Sequence, residues 1–160
     1  RNPHMLSRSA CGSSSGSGAA MSLRLASLAV GTETNGSIIC PASINGVVGF
    51  KPTVGLLSRT HIVPISFSQD TAGPMTSNVQ DAWLMTAIMA GPDASDNATL
   101  DAESHRPSMP TSSMLATDLK GKRIGVVRYR QGDNPHVLAV YEKALNQLKA
   151  SGAALSLIHI

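Results

Sequence analysis

Apolar positions along the chain fall in short blocks separated by glycine, serine and proline, and their period changes from block to block. Gly16 to Ser27 is rich in Ala and Leu, which predicts a helix whose small residues let it lie close against a sheet. Leu28-Ala29-Val30, stopped by Gly31, reads as a short buried strand of a parallel sheet. Gly46-Val47-Val48-Gly49-Phe50, stopped by Lys51-Pro52-Thr53, reads as a second strand. Val54 to Pro74 has little period and many turn residues, and reads as irregular structure packed near the loops. Val79, Ala82, Trp83, Ala87 and Ala90 follow helical spacing, and Gly91-Pro92-Asp93 ends that helix.

The remainder is polar from 91 to 118, with Pro107 and Pro110, and reads as a surface connection. Lys122 to Val127 begins a strand. Pro135 to Ala150 carries Val137, Val140, Tyr141, Ala144, Leu145 and Leu148 on one face of a helix, and Gly152 caps it. Ala153 to Ile160 completes a βαβ unit. The expected fold is α/β: a mixed or parallel sheet with covering helices. Its division is a region over 1–93, a connection over 94–118 and a βαβ-like segment over 119–160.

Composition narrows the function. Charged residues make up 14% of the 160, well under the usual quarter of a soluble domain. The net charge of +3 is spread out, its longest cluster being Lys120 to Arg123, and aromatics are 3%. A nucleic-acid surface needs a basic face with stacking rings, so that class is set aside. No apolar run reaches the length that spans a membrane. Cys11 and Cys40 form neither a disulfide framework nor a metal site, and are expected as two reduced core thiols. His4, His61, His105, His136 and His159 lack metal-ligand spacing. The opening Arg1-Asn2-Pro3-His4 has no initiator Met and reads like the middle of a longer chain.

The chemistry concentrates in two glycine- and serine-rich stretches. The first is Gly12-Ser13-Ser14-Ser15-Gly16-Ser17-Gly18, where a helix start offers free N–H groups. The second is Gly31-Thr32-Glu33-Thr34-Asn35-Gly36-Ser37. Consecutive backbone N–H groups of Thr34, Asn35, Gly36 and Ser37 surround one point, and Gly36 removes bulk where a tetrahedral intermediate forms. A serine there attacks a carbonyl when a base accepts its proton. The competing reading of Ser37 is a turn or cap serine. Asp70 reads as an acceptor for nearby backbone.

These stretches, followed by Pro41-Ala42, by Gly46-Val47-Val48-Gly49-Phe50-Lys51-Pro52-Thr53 and by Gln69-Asp70-Thr71-Ala72-Gly73-Pro74, resemble the amidase signature family. The motifs run colinearly from about residue 2 to residue 93. Ile44-Asn45-Gly46 and Pro64 to Asp70 look most like bacterial peptide amidases. The resemblance implies a Ser–Ser–Lys triad: Ser37 as nucleophile and Ser13 as the bridging serine, preceded by a cis peptide bond. Ser13 lies 24 positions before Ser37, the family's spacing, and Ser14 is the fallback. The family's lysine lies upstream of the bridging serine, whereas the first lysine here is Lys51. The 160 residues are therefore expected to be an inactive internal part of an active amidase.

Several departures from the family pattern stand out. Cys11 replaces the first glycine of a Gly-Gly pair, Asn35 and Asn78 replace usual residues, and Arg24 falls in a helix that is ordinarily apolar. The resemblance implies no metal or organic cofactor, a small-molecule or peptide amide as substrate, and no direct nucleic-acid or membrane partner. One alternative is an amidotransferase A-type subunit, which releases ammonia from glutamine and works with partner subunits. Another is a non-catalytic α/β segment that binds a small anion at the Gly16 helix start.

Overall fold

The computed structural model describes residues 1–109, 118–128 and 132–158, and the fold is α/β, built as two compact units, residues 1–110 and 111–160. In the first unit, α1 (Ser15–Ser22) leads to β1 (Ala29–Glu33), then α2 (Ile39–Asn45), β2 (Val48–Gly49), β3 (Thr71–Thr76) and α3 (Val79–Met89). In the second, β4 (Arg123–Val127), α4 (Pro135–Ala150) and β5 (Ala154–Ile158) follow one another.

The sheet of the first unit has the order β1-β3-β2, and both pairings are antiparallel. This corrects the expectation of a parallel strand at Leu28 to Val30. That strand starts and ends later, and its inward positions are Gly31 and Glu33, while Val30 is exposed. The apolar run was therefore not the buried face. Gly31 is required there: an added Cβ would stand 2.9 Å from both the Met75 sulfur and the Ser14 hydroxyl.

The central strand β3 begins inside the stretch expected to be irregular, Val54 to Pro74. All six of its residues are buried. Pro74 disguises it, because proline withholds a ladder N–H and argues against a central strand. Here Pro74 sits opposite Val30 and gives its carbonyl to the Phe50 N–H at 3.0 Å. One apolar cluster, Met21, Ile38, Ala42 and Met75, lies where α1, α2 and the sheet meet. A second, Leu57, Ala72 and Ala90, packs under the end of α3.

Helix α1 ends earlier than its composition suggests. Leu23 closes it, and Arg24 follows with a left-handed φ of 56°. Arg24 is exposed and outside the helix, so its charge stays in solvent and needs no buried partner. Helix α3 matches its predicted span; Asn78 accepts the Asp81 N–H at 2.8 Å and Asp81 favours the positive end of the helix. Its Trp83 is partly exposed and donates its indole N–H to the Ser108 carbonyl. Residues 94–109 bury Asp96, Thr99 and Ala102 around two short 3-10 turns, and 110–117 of the expected connection lie outside the described residues.

The second unit is the βαβ element read from the sequence. Strands β4 and β5 pair in parallel, and Asn134 caps α4, with Pro135 in its first turn. Ser151 and Gly152, the latter at φ 93°, end the helix. Residues 159 and 160 lie outside the described residues. No described helix is long and apolar enough to cross a membrane.

Candidate active site

Ser37 lies in the turn between β1 and α2. The strand delivers Glu33 to one end of this turn, and the first residues of α2 begin at the other. Glu33 is 6% exposed, and one of its carboxylate oxygens accepts the N–H groups of Ile38 at 2.7 Å and Ile39 at 2.9 Å. Burial pushes this carboxyl up. The N–H groups of Ile39, Ile38 and Gly36, with the Lys51 charge, outweigh that and hold it below the ordinary range. Four residues, Thr34 to Ser37, thus bulge between a strand end and a helix start that one carboxylate ties together. Gly36 takes φ 87°, open to glycine at no cost. Among the described residues, no acceptor meets the N–H groups of Asn35 and Ser37.

The first serine stretch reaches this turn directly. The Ser14 N–H donates to the Ser37 carbonyl at 3.2 Å. The Ser14 hydroxyl is occupied on β1, accepting the Thr32 N–H and donating to the Thr32 carbonyl, each at 3.1 Å. Ser17 donates to the Val30 carbonyl at 2.8 Å. These bonds seat α1 along β1. Ser13 precedes this seat, is exposed, and its hydroxyl meets no partner among the described residues. The Gly12–Ser13 peptide bond is cis.

The two cysteines are not reduced core thiols. Cys11 and Cys40 form a disulfide across 29 residues, with Cα atoms 5.9 Å apart. Cys11 immediately precedes Gly12-Ser13, and Cys40 lies in the first turn of α2, so the bond joins the two serine-bearing segments. Cys11 takes φ 59°, the left-handed region that suits the glycine commonly found there. The pairing was invisible in the spacing of two cysteines, because it depends on the strand and helix that fold between them.

Further groups nearby were not read as parts of the site. Asp70 accepts nearby backbone N–H groups as expected, from Ile65 at 2.7 Å and Ser66 at 2.8 Å, and its other oxygen accepts the Thr34 hydroxyl at 2.5 Å. The Thr34 bond is the largest influence holding this carboxyl below its ordinary range. Lys51 donates to the Pro52 carbonyl, and its charge helps to hold the Glu33 carboxyl ionised. Arg59 and Asp96 form a partly buried fork: Arg59 Nε at 2.9 Å and Nη2 at 2.6 Å reach the two Asp96 oxygens. With Thr60, Ile62, Phe67 and Asp70 they line a cleft of about 350 Å³. No group of three or more metal-ligating side chains occurs among the described residues.

Known proteins share this fold over nearly the whole chain. The chain is 46% identical to the native peptide amidase of Stenotrophomonas maltophilia, superposing with a TM-score of 0.83 over 99% of this chain and 33% of that one. It is 43% identical over 154 residues to the A-type subunit of a glutamyl-tRNA(Gln) amidotransferase from a Cyanothece species, covering 95% of this chain and 31% of that protein. A probable amidase of Arabidopsis thaliana is 46% identical over 128 residues, 79% of this chain and 25% of that protein. The chain spans about a third or less of the length of these relatives. The family described as Amidase matches residues 1–160, and the chain belongs to it.

Proposed function

We propose that the protein containing this chain hydrolyses a carboxylic amide through an acyl-enzyme on Ser37. The observation that carries the reading is the bond from the Ser14 N–H to the Ser37 carbonyl, which sets the two serine segments edge to edge. Ser37 Oγ attacks the amide carbon, and its proton passes to Ser13 Oγ, which gives up its own to a base. The C–N bond breaks, the amine leaves with the proton returned along the relay, and water then hydrolyses the ester. Ser13 suits the relay better than Ser14, whose hydroxyl is engaged twice by Thr32.

The oxyanion donors come from the N–H groups of Thr34, Asn35, Gly36 and Ser37, and those of Asn35 and Ser37 are the better placed, because the Gly36 N–H also bears on the Glu33 carboxylate. The base is a lysine supplied by the part of the protein that precedes Ser13, and Lys51 does not substitute for it. Loss of such a base costs about 10² to 10⁴ in rate.

A second reading has one observation behind it: identity to amidotransferase A-type subunits is comparable with identity to peptide amidases. In that reading glutamine is the amide, and partner subunits receive the ammonia. A fluorophosphonate should label Ser37 in the whole protein and fail on Ser37→Ala. Turnover of peptide amides against turnover of glutamine separates the two substrates. Failure of the probe to label Ser37 in the active protein overturns the mechanism.

A further inference from the structure

The loop from Arg59 to Asp70 is braced within itself. Arg59 Nη1 donates to the Phe67 carbonyl, the Asp70 N–H donates to the Ser66 carbonyl at 2.9 Å, and Asp70 Oδ2 takes the Ile65 and Ser66 N–H groups. One oxygen of Asp70 therefore suffices to hold the loop. The other, Oδ1, points away from it to the Thr34 hydroxyl. Thr34 opens the turn that ends at Ser37. At the far end of the same turn, Glu33 holds the N–H groups of Ile38 and Ile39. Two carboxylates, 6% and 7% exposed, thus grip the turn from opposite ends.

We propose that Asp70 is a positioning residue for the hydrolysis, acting through the Thr34 hydroxyl to fix the turn that presents Ser37 and the oxyanion donors. The assignment rests on the serine-hydrolase reading above. The Thr34 side chain is held at Oγ1 by Asp70, which restrains the Glu33–Thr34 and Thr34–Asn35 peptide planes from swinging together about the Thr34 Cα. Those planes carry the N–H groups of Thr34 and Asn35. Without the hydroxyl the chain path survives, since the β1–β3 ladder pairs Glu33 with Thr71 independently of it. What is lost is the aim of the donors, and a misplacement of about 1 Å costs on the order of 100-fold.

The experiment is carried out on the whole protein, following fluorophosphonate labelling of Ser37 and steady-state amide hydrolysis. Thr34→Val should slow acylation and kcat about 10- to 100-fold, with KM changed far less. Thr34→Ser, which restores the hydroxyl, should recover most of that loss. Asp70→Asn should slow acylation similarly, and the Thr34→Val/Asp70→Asn double variant should be no slower than the slower single one. Should Asp70→Asn not fold, the Thr34→Val and Thr34→Ser pair decides alone. Wild-type acylation by Thr34→Val, no recovery in Thr34→Ser, or single effects that multiply in the double variant would overturn the assignment while Ser37 labelling of the wild type stands. A wild type unlabelled at Ser37 overturns the serine-hydrolase reading itself.

Discussion

Glu33→Gln tests whether the turn of Ser37 is held by charge or only by shape. The substitution keeps the length of the side chain and replaces one acceptor oxygen by an amide. In the wild type the carboxylate receives Ile38 N–H at 2.7 Å and Ile39 N–H at 2.9 Å. Hydrogen bonds to a charged group contribute about 1.5–3 kcal/mol and neutral ones about 0.5–1.5 kcal/mol, so downgrading two bonds removes about 2 kcal/mol. Relief of the cost of burying a charge opposes this, and the lowered carboxyl shows that the bonds and Lys51 outweigh it.

The sign with pH follows. A carboxyl lowered on folding contributes stability that is fully present above its unfolded value, about 4.3, and is lost as pH falls through the folded value. The gap in stability between wild type and Glu33→Gln should therefore be at most about 2 kcal/mol near neutral pH and narrow progressively in acid below about pH 4. Urea unfolding of both proteins at a series of pH values measures it, and Ser37 labelling should slow in parallel. Equal stability at neutral pH, or a gap that does not change with pH, refutes the charge argument.

Other expectations follow from single contacts. Asp96→Asn strips the counter-charge from Arg59, whose side chain is 16% exposed, and should cost about 3–5 kcal/mol in urea unfolding, largely recovered in Arg59→Met/Asp96→Asn, which removes both charges and keeps an acceptor for the Arg59 and Ala98 N–H groups. No recovery in that double variant would tell against an uncompensated charge. Gly73→Ala places a Cβ onto the Phe50 carbonyl and 2.9 Å from Ile38 Cδ1, and should destabilise by about 1–3 kcal/mol; an unchanged thermal midpoint contradicts the tight packing of β3. Reducing the Cys11–Cys40 bond frees a loop of 29 residues and should lower stability by about 3–4 kcal/mol, read as the urea midpoint with and without reductant; coincident midpoints would show that the bond adds nothing.

Legibility of the sequence followed the range of the interactions. Helices α3 and α4 and the βαβ unit were readable because their periods and caps lie within one element. β3 was not, because its burial comes from β1 and β2 on either side, and Pro74 carries the local mark of a loop. Ser37 and Ser13 stood out through motif and spacing. Glu33 and Asp70 lie in the same motifs, but the spacing gives their carboxylates no part in the reaction. Their part depends on partners such as Ile38, Ile39 and Thr34, fixed only when β1 and β3 pair. The left-handed Cys11 is a similar case: its replacement of glycine was visible, and its partner Cys40 was not.

The proposed mechanism requires the turn of Ser37 to be ordered before substrate arrives, and the ties around Ser37 are on the scale which that demands. Fixing the backbone of one residue costs about 1–2 kcal/mol, so the turn of Thr34 to Ser37 costs about 4–8 kcal/mol to hold still. The two charge-assisted bonds at Glu33 supply about 3–6 kcal/mol and the neutral Ser14–Ser37 bond about 1 kcal/mol. That sum, about 4–7 kcal/mol, roughly matches the cost, and the Thr34–Asp70 bond and the Cys11–Cys40 link come in addition. With so narrow a margin, loss of any one tie leaves β1, β3 and the buried clusters in place but lets the turn populate other conformations. Variants at these positions should therefore lose rate before they lose fold. Labelling of Ser37 is the more sensitive measure of the site, and unfolding the more sensitive measure of the β3 packing.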